Sequence, residues 1–70
     1  MPNYCVNINA QSNGDHEVHD LSSAVGCLPA AAHRRDLGWF SSCDGAVAAA
    51  KKFYYRADGC YRCSPDCHTS

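Results

Sequence analysis

With 70 residues, a net charge of −1 and 46% hydrophobic residues, the chain is read as one small domain, 1–70, whose core cannot fold it unaided. Ordering such a chain costs ~1.5 kcal/mol per residue, and the hydrophobic gain from so few buried groups is about equal. Interleaved acids and bases set up no global field for nucleic acid or an anionic membrane, and the longest apolar run, residues 46–50, is far shorter than the ~20 residues of a spanning helix.

In chain order, residues 4–9 alternate: Tyr4, Val6 and Ile8 share one face, Cys5, Asn7 and Asn9 the other, which is the period of a half-buried strand. Ser12-Asn13-Gly14-Asp15 is a turn with Asn-Gly at its centre, so residues 16–19 are expected to return antiparallel. In that second strand His16 and Val18 share a face and Glu17 and His19 the other, which sends the two histidines to opposite sides of the sheet. Cys5 is expected on the side of His19.

From 20 to 36 the pattern dissolves into a loop containing Cys27, Pro29 and Arg34-Arg35, with a short helical turn expected at 30–33. Residues 37–40, Leu-Gly-Trp-Phe, read as a third strand in which Trp39 or Phe40 faces the core, but not both. Ser41-Ser42 offers an N-cap and Asp44 an acidic first turn; Cys43, Ala46, Val47, Ala50, Phe53 and Tyr54 follow at helical spacing, predicting a helix over 42–56. Gly59 ends it or opens the next turn, and residues 59–68 form a knuckle. The expected buried set is Val6, Ile8, Val18, Leu28, Phe40, Val47, Ala50 and Phe53. The fold class is therefore α+β, a small antiparallel sheet of two or three strands on one helix.

The fold needs a staple, and six cysteines and four histidines offer disulfides or a metal. Met1-Pro2-Asn3-Tyr4 has neither the positive nor the apolar region of a secretory signal, so a cytoplasmic chain and a metal are the expectation, with disulfides the alternative if the chain is exported. Cys60-x-x-Cys63 after a glycine is the strongest local signal, because two thiolates at that spacing bind one zinc from a tight turn. The remaining ligands must come from upstream, where His16, His19 and Cys27 cluster. The expected tetrahedral site is His19, Cys27, Cys60 and Cys63, with His16, Cys5, Cys43, Cys67 or His68 as replacements for a ligand. Cys43, on the apolar helix face, reads as a small core hydrophobe, and Cys67-His68 as a free end or an alternative ligand pair.

Catalytic signatures fail on spacing. His16-Glu17-Val18-His19 has its histidines at i and i+3 on a strand, not at i and i+4 on a helix as zinc proteases require. The deaminase pattern needs H-x-E with P-C-x-x-C, and a thioredoxin-like C-x-x-C precedes a helix, not follows it. No catalytic residue is assigned. Lys51, Lys52, Arg56 and Arg62 with Tyr54, Tyr55 and Tyr61 form a basic, aromatic edge, read first as a solvated helix end and second as a nucleic-acid contact. His33 beside Arg34-Arg35 reads as a solvated loop.

The order of these features resembles the compact metal-binding domain at the N-terminus of the Ada DNA-repair protein, also found attached to bacterial nucleases and secreted proteins. The likeness rests on a strand with Tyr4 and Val6, then His19, Cys27, the segment Leu37-Gly38-Trp39-Phe40-Ser41-Ser42, the helix with Ala46, Val47 and Ala50, and Gly59-Cys60-x-x-Cys63; it covers about 45 residues, from His19 to Cys63. It implies a zinc site, an α+β fold and, more distantly, contact with DNA. Methyl transfer is not carried over, because Ala57-Asp58-Gly59-Cys60 replaces the G-Y-R-P-C lead-in. The functional expectation is a structural zinc module for macromolecular interaction, with protein the first partner class and no membrane. A DNA-associated module is the alternative, and a thiol-reactive sensor or methyl acceptor comes third.

Overall fold

The computed structural model describes residues 3–22 and 28–68. Strand β1 (Asn3–Asn7) pairs antiparallel with β2 (His16–Asp20), in a register that sets Cys5 opposite His19 and Val6 opposite Val18. The turn between them is local chemistry. The Asn13 side chain accepts the Asp15 amide at 2.9 Å, the Gly14 amide donates to the Gln11 carbonyl at 2.8 Å, and Gly14 adopts a φ of +92° that a side chain disfavours.

A 3-10 turn, Ala31–His33, leads into β3 (Arg34–Trp39), which pairs antiparallel with the other edge of β1. Helix α1 (Cys43–Ala50) follows, then β4 (Ala57–Gly59) and a final 3-10 turn, Pro65–Cys67. The sheet order is β3-β1-β2-β4. Because β4 runs parallel to β2, the β3-α1-β4 segment is a crossover that carries the chain from one sheet edge to the other, laying the helix across one face. The α+β class is as expected; the sheet is mixed and has four strands, not two or three.

On the helix side, Tyr4, Val6 and Val18 pack with Ala46, Ala50 and Ala57, flanked by Leu37, Phe40, Cys43, Val47 and Tyr54. Ala46 and Ala50 lie one turn apart with no side chain beyond Cβ, so the helix backbone sits close to the sheet. Such a core is thin, which is why covalent or metal cross-links matter here. Phe40 packs inward while Trp39 is exposed.

Four expectations are corrected. The helix stops at Ala50, well short of residue 56, because contacts from the start of β2 and the turn before it claim the following residues. Tyr54 stacks on His16 at 4.0 Å between ring centroids, the His16 amide donates to the Arg56 carbonyl at 2.8 Å, and Arg56 Nε donates to Asp15 at 2.9 Å. The last turn tightens instead, with the Lys52 and Phe53 amides donating to Ala49 and Ala50. Phe53 is consequently exposed, with Arg35 over its ring at 3.8 Å. Ile8 is also exposed, since β1 ends at Asn7. Gly59 neither caps the helix nor starts a turn; it lies in β4.

Candidate metal centre

The parity of β2 puts His19 and Glu17 on the face opposite Val18, and His19 is almost wholly buried. Burial pushes its pKa down; Glu17 pulls it back up and Arg34 pushes it lower again. The imidazole is therefore held in the neutral form that ligates metals. Its Nδ1 lies 3.5 Å from the Cys63 sulfur, and its Nε2 lies 3.6 Å from Glu17 Oε1. A carboxylate behind a histidine fixes the ring and raises its basicity when the other nitrogen binds a metal.

Cys60 and Cys63 arrive from the segment after β4. The Cys60 amide donates to the Val18 carbonyl at 2.9 Å and the Ser64 amide to the Cys60 carbonyl at 2.9 Å, which closes a tight turn against the end of β2. Both sulfurs accept backbone N–H groups: Arg62 to Cys60 Sγ at 3.4 Å, and Asp20 to Cys63 Sγ at 3.4 Å.

One ligand atom each from His19, Cys60 and Cys63 falls within 4.8 Å of the other two. Bond lengths of ~2.0–2.1 Å to nitrogen and ~2.3 Å to sulfur put tetrahedral ligands ~3.6 Å apart, and the His19–Cys63 separation of 3.5 Å matches that edge. The donor set and spacing fit a metal ion. Cys27, the fourth expected ligand, lies outside the described residues. Of the replacements, His16 is drawn to the other face, where Nδ1 donates to the Asn7 carbonyl at 2.9 Å. Cys5 faces His19 across the strand pair. His68 is held away by the Gly59 carbonyl at 3.1 Å and by Asp58 at 3.4 Å.

Cys43 and Cys67 need correction. They form a disulfide, so Cys43 is a cross-link as well as a neighbour of the core, and Cys67 is buried and bonded, not free at a chain end. The bridge joins the start of α1 to the last 3-10 turn across 24 residues, a loop whose closure is worth ~3 kcal/mol in chain-entropy accounting. Nothing in local spacing announces that pair, which depends on β4 returning the tail to the sheet. The Glu17 contact, by contrast, was implicit in strand parity. No helix is long and apolar enough to cross a membrane, among the described residues.

Compared with protein-family models, curated proteins and solved structures, the chain matches none.

Proposed function

We propose that the chain is a structural zinc module in which His19, Cys60 and Cys63, with Cys27 as fourth ligand, bind one zinc ion and so fix the surface offered to a protein partner. The observation that carries this is the convergence, within 4.8 Å of one another, of ligand atoms from a buried imidazole and from two cysteines that lie 41 and 44 residues further along the sequence. Zinc suits the set because nitrogen and thiolate donors select it over harder ions. Cys27 follows the end of β2 by seven residues in sequence, a short enough span of chain to supply the fourth ligand. Linking β2, the loop and the tail compensates for the thin core.

Protein is favoured as partner by the near-neutral charge and by exposed aromatic groups at Trp39, Phe53, Tyr55 and Tyr61, since rigid aromatic anchors dominate protein interfaces. Thiolate ligands must stay reduced to hold a metal, which a cytoplasmic setting would ensure, whereas the Cys43–Cys67 bridge is the kind of link an oxidising compartment favours. The Ada-like order of motifs supports the zinc site, and the metal-binding part of that resemblance is all that this proposal uses.

Elemental analysis of the purified chain, followed by chelation under circular dichroism, tests the zinc reading. One zinc per chain and loss of structure on chelation are expected, because structural zinc is worth ~10–16 kcal/mol to small domains; a metal-free chain that stays folded in chelator overturns it. Titration with duplex DNA at rising salt tests the partner class: affinity that falls steeply with salt would replace protein by nucleic acid.

A further inference from the structure

The sulfurs of Cys43 and Cys67 and a carboxylate oxygen of Asp44 lie within 4.8 Å of one another, with Asp44 Oδ1 3.3 Å from Cys67 Sγ. A zinc ion bound tetrahedrally by thiolate and carboxylate holds those two atoms ~3.5 Å apart and two thiolates ~3.8 Å apart. The Cα atoms of the two cysteines are 6.2 Å apart, so side-chain rotation alone can open the sulfurs to that separation. Cys43 is the first residue of α1, where the positive end of the helix favours anionic sulfur. Beside the bridge is a cavity of about 230 Å³, lined in part by Cys43, Asp44, Cys63 and Asp66. A water needs only ~10–15 Å³ of such space, so a fourth, solvent ligand fits.

We infer that Cys43, Asp44 and Cys67 form a second, redox-gated site for a soft divalent cation such as zinc, closed in the disulfide form described above and open when the bridge is reduced. Opening consumes two electrons and two protons from a thiol reductant: the S–S bond breaks, the reductant leaves as its own disulfide, and two protein thiols result. Binding the cation releases both thiol protons to solvent, and the Asp44 carboxylate supplies the third protein ligand. In the reverse direction a disulfide oxidant takes two electrons from the thiolates, re-forms the Cys43–Cys67 bond and expels the cation. This inference uses the proposed function only for its reducing compartment, where cysteine pairs that do oxidise are characteristically redox sensors. It does not depend on metal at His19, Cys60 and Cys63.

The test is cobalt stoichiometry by equilibrium dialysis of the full chain, oxidised and then reduced with a phosphine that does not itself ligate the ion. The reduced chain is expected to bind one equivalent more than the oxidised chain, with added thiolate-to-cobalt absorption, and glutathione disulfide is expected to release that equivalent. The C43S/C67S double variant should bind the same amount in both conditions, and Asp44→Asn should weaken the extra equivalent by about tenfold or more. Equal stoichiometry in the two states of the unaltered chain overturns the inference, whether or not the variants fold. If the first site does not bind, both values fall by one and the difference between them persists.

Discussion

The sulfur of Cys63 and Nδ1 of His19 stand 3.5 Å apart although 44 residues separate them in sequence. Strand β2 supplies one and the turn after β4 the other, so the β2–β4 pairing is what creates the site. Replacing either residue should therefore affect metal and fold together. For Cys63→Ser the expected result is a loss of zinc affinity greater than the ~10–100-fold typical of an outer-shell change, measured by competition with a chromophoric chelator. Affinity within tenfold of the parent would remove Cys63 from the site.

Glu17 makes a finer test. Its carboxylate lies 3.6 Å from His19 Nε2 and contributes no ligand atom to the cluster. Glu17→Gln should leave the number of bound ions unchanged and lower affinity by ~10-fold or more, because the histidine loses an anionic partner that orients the ring and raises its basicity. Parallel NMR of the imidazole should show the Nε2 environment altered while Nδ1 stays metal-bound. An unchanged affinity would make the Glu17 contact incidental.

Acid should destabilise the protein through His19. Its folded pKa is lowered, chiefly by burial, whereas an unfolded histidine titrates near ~6.5. The unfolded chain therefore binds the proton first as pH falls, so the stability present above ~6.5 is lost on acidification down through the lowered folded value. A bound metal acts in the same direction, because the proton competes with it for the imidazole. Denaturation at fixed zinc should show a midpoint that declines from pH 7 to pH 5. A flat profile over that interval would show that His19 keeps an ordinary pKa and holds no metal.

What was legible in the sequence was local. Alternation in β1 and β2 and the Asn13-Gly14 turn fix the hairpin and, through its parity, send His16 and His19 to opposite faces; the Cys60-x-x-Cys63 spacing marks a turn able to present two sulfurs. Non-local competition was not legible. The periodicity through Phe53 and Tyr54 favours a longer helix, and it loses to the stacking of Tyr54 on His16 and the anchoring of Arg56 by Asp15. Strand β4 has only three residues, Ala57, Asp58 and Gly59, too few for any period to register. Its pairing with β2 nevertheless brings Cys67 back to Cys43, so missing the strand entailed missing the disulfide.

That short strand also yields a prediction about packing. A Cβ on Gly59 would lie 2.6 Å from Cys67 Cβ and 2.8 Å from both the Cys67 carbonyl carbon and the Ser64 carbonyl oxygen. Two of those atoms are backbone, and the third belongs to a disulfide-bonded residue, so no flexible side chain can swing away. Gly38 is the useful comparison: its φ is +90° but a Cβ there would meet nothing within 4 Å. Gly38→Ala should cost the ~1–2 kcal/mol of left-handed backbone strain. Gly59→Ala should cost more, at or above the ~1–3 kcal/mol of overpacking, and should loosen the tail that carries Cys60 and Cys63. Thermal denaturation of the two variants beside the parent, with zinc affinity measured on each, separates the effects. Gly59→Ala is expected to lower both melting temperature and affinity, and Gly38→Ala the melting temperature alone. Gly59→Ala matching the parent in both would mean that the tail can shift away from β4 without disturbing the site.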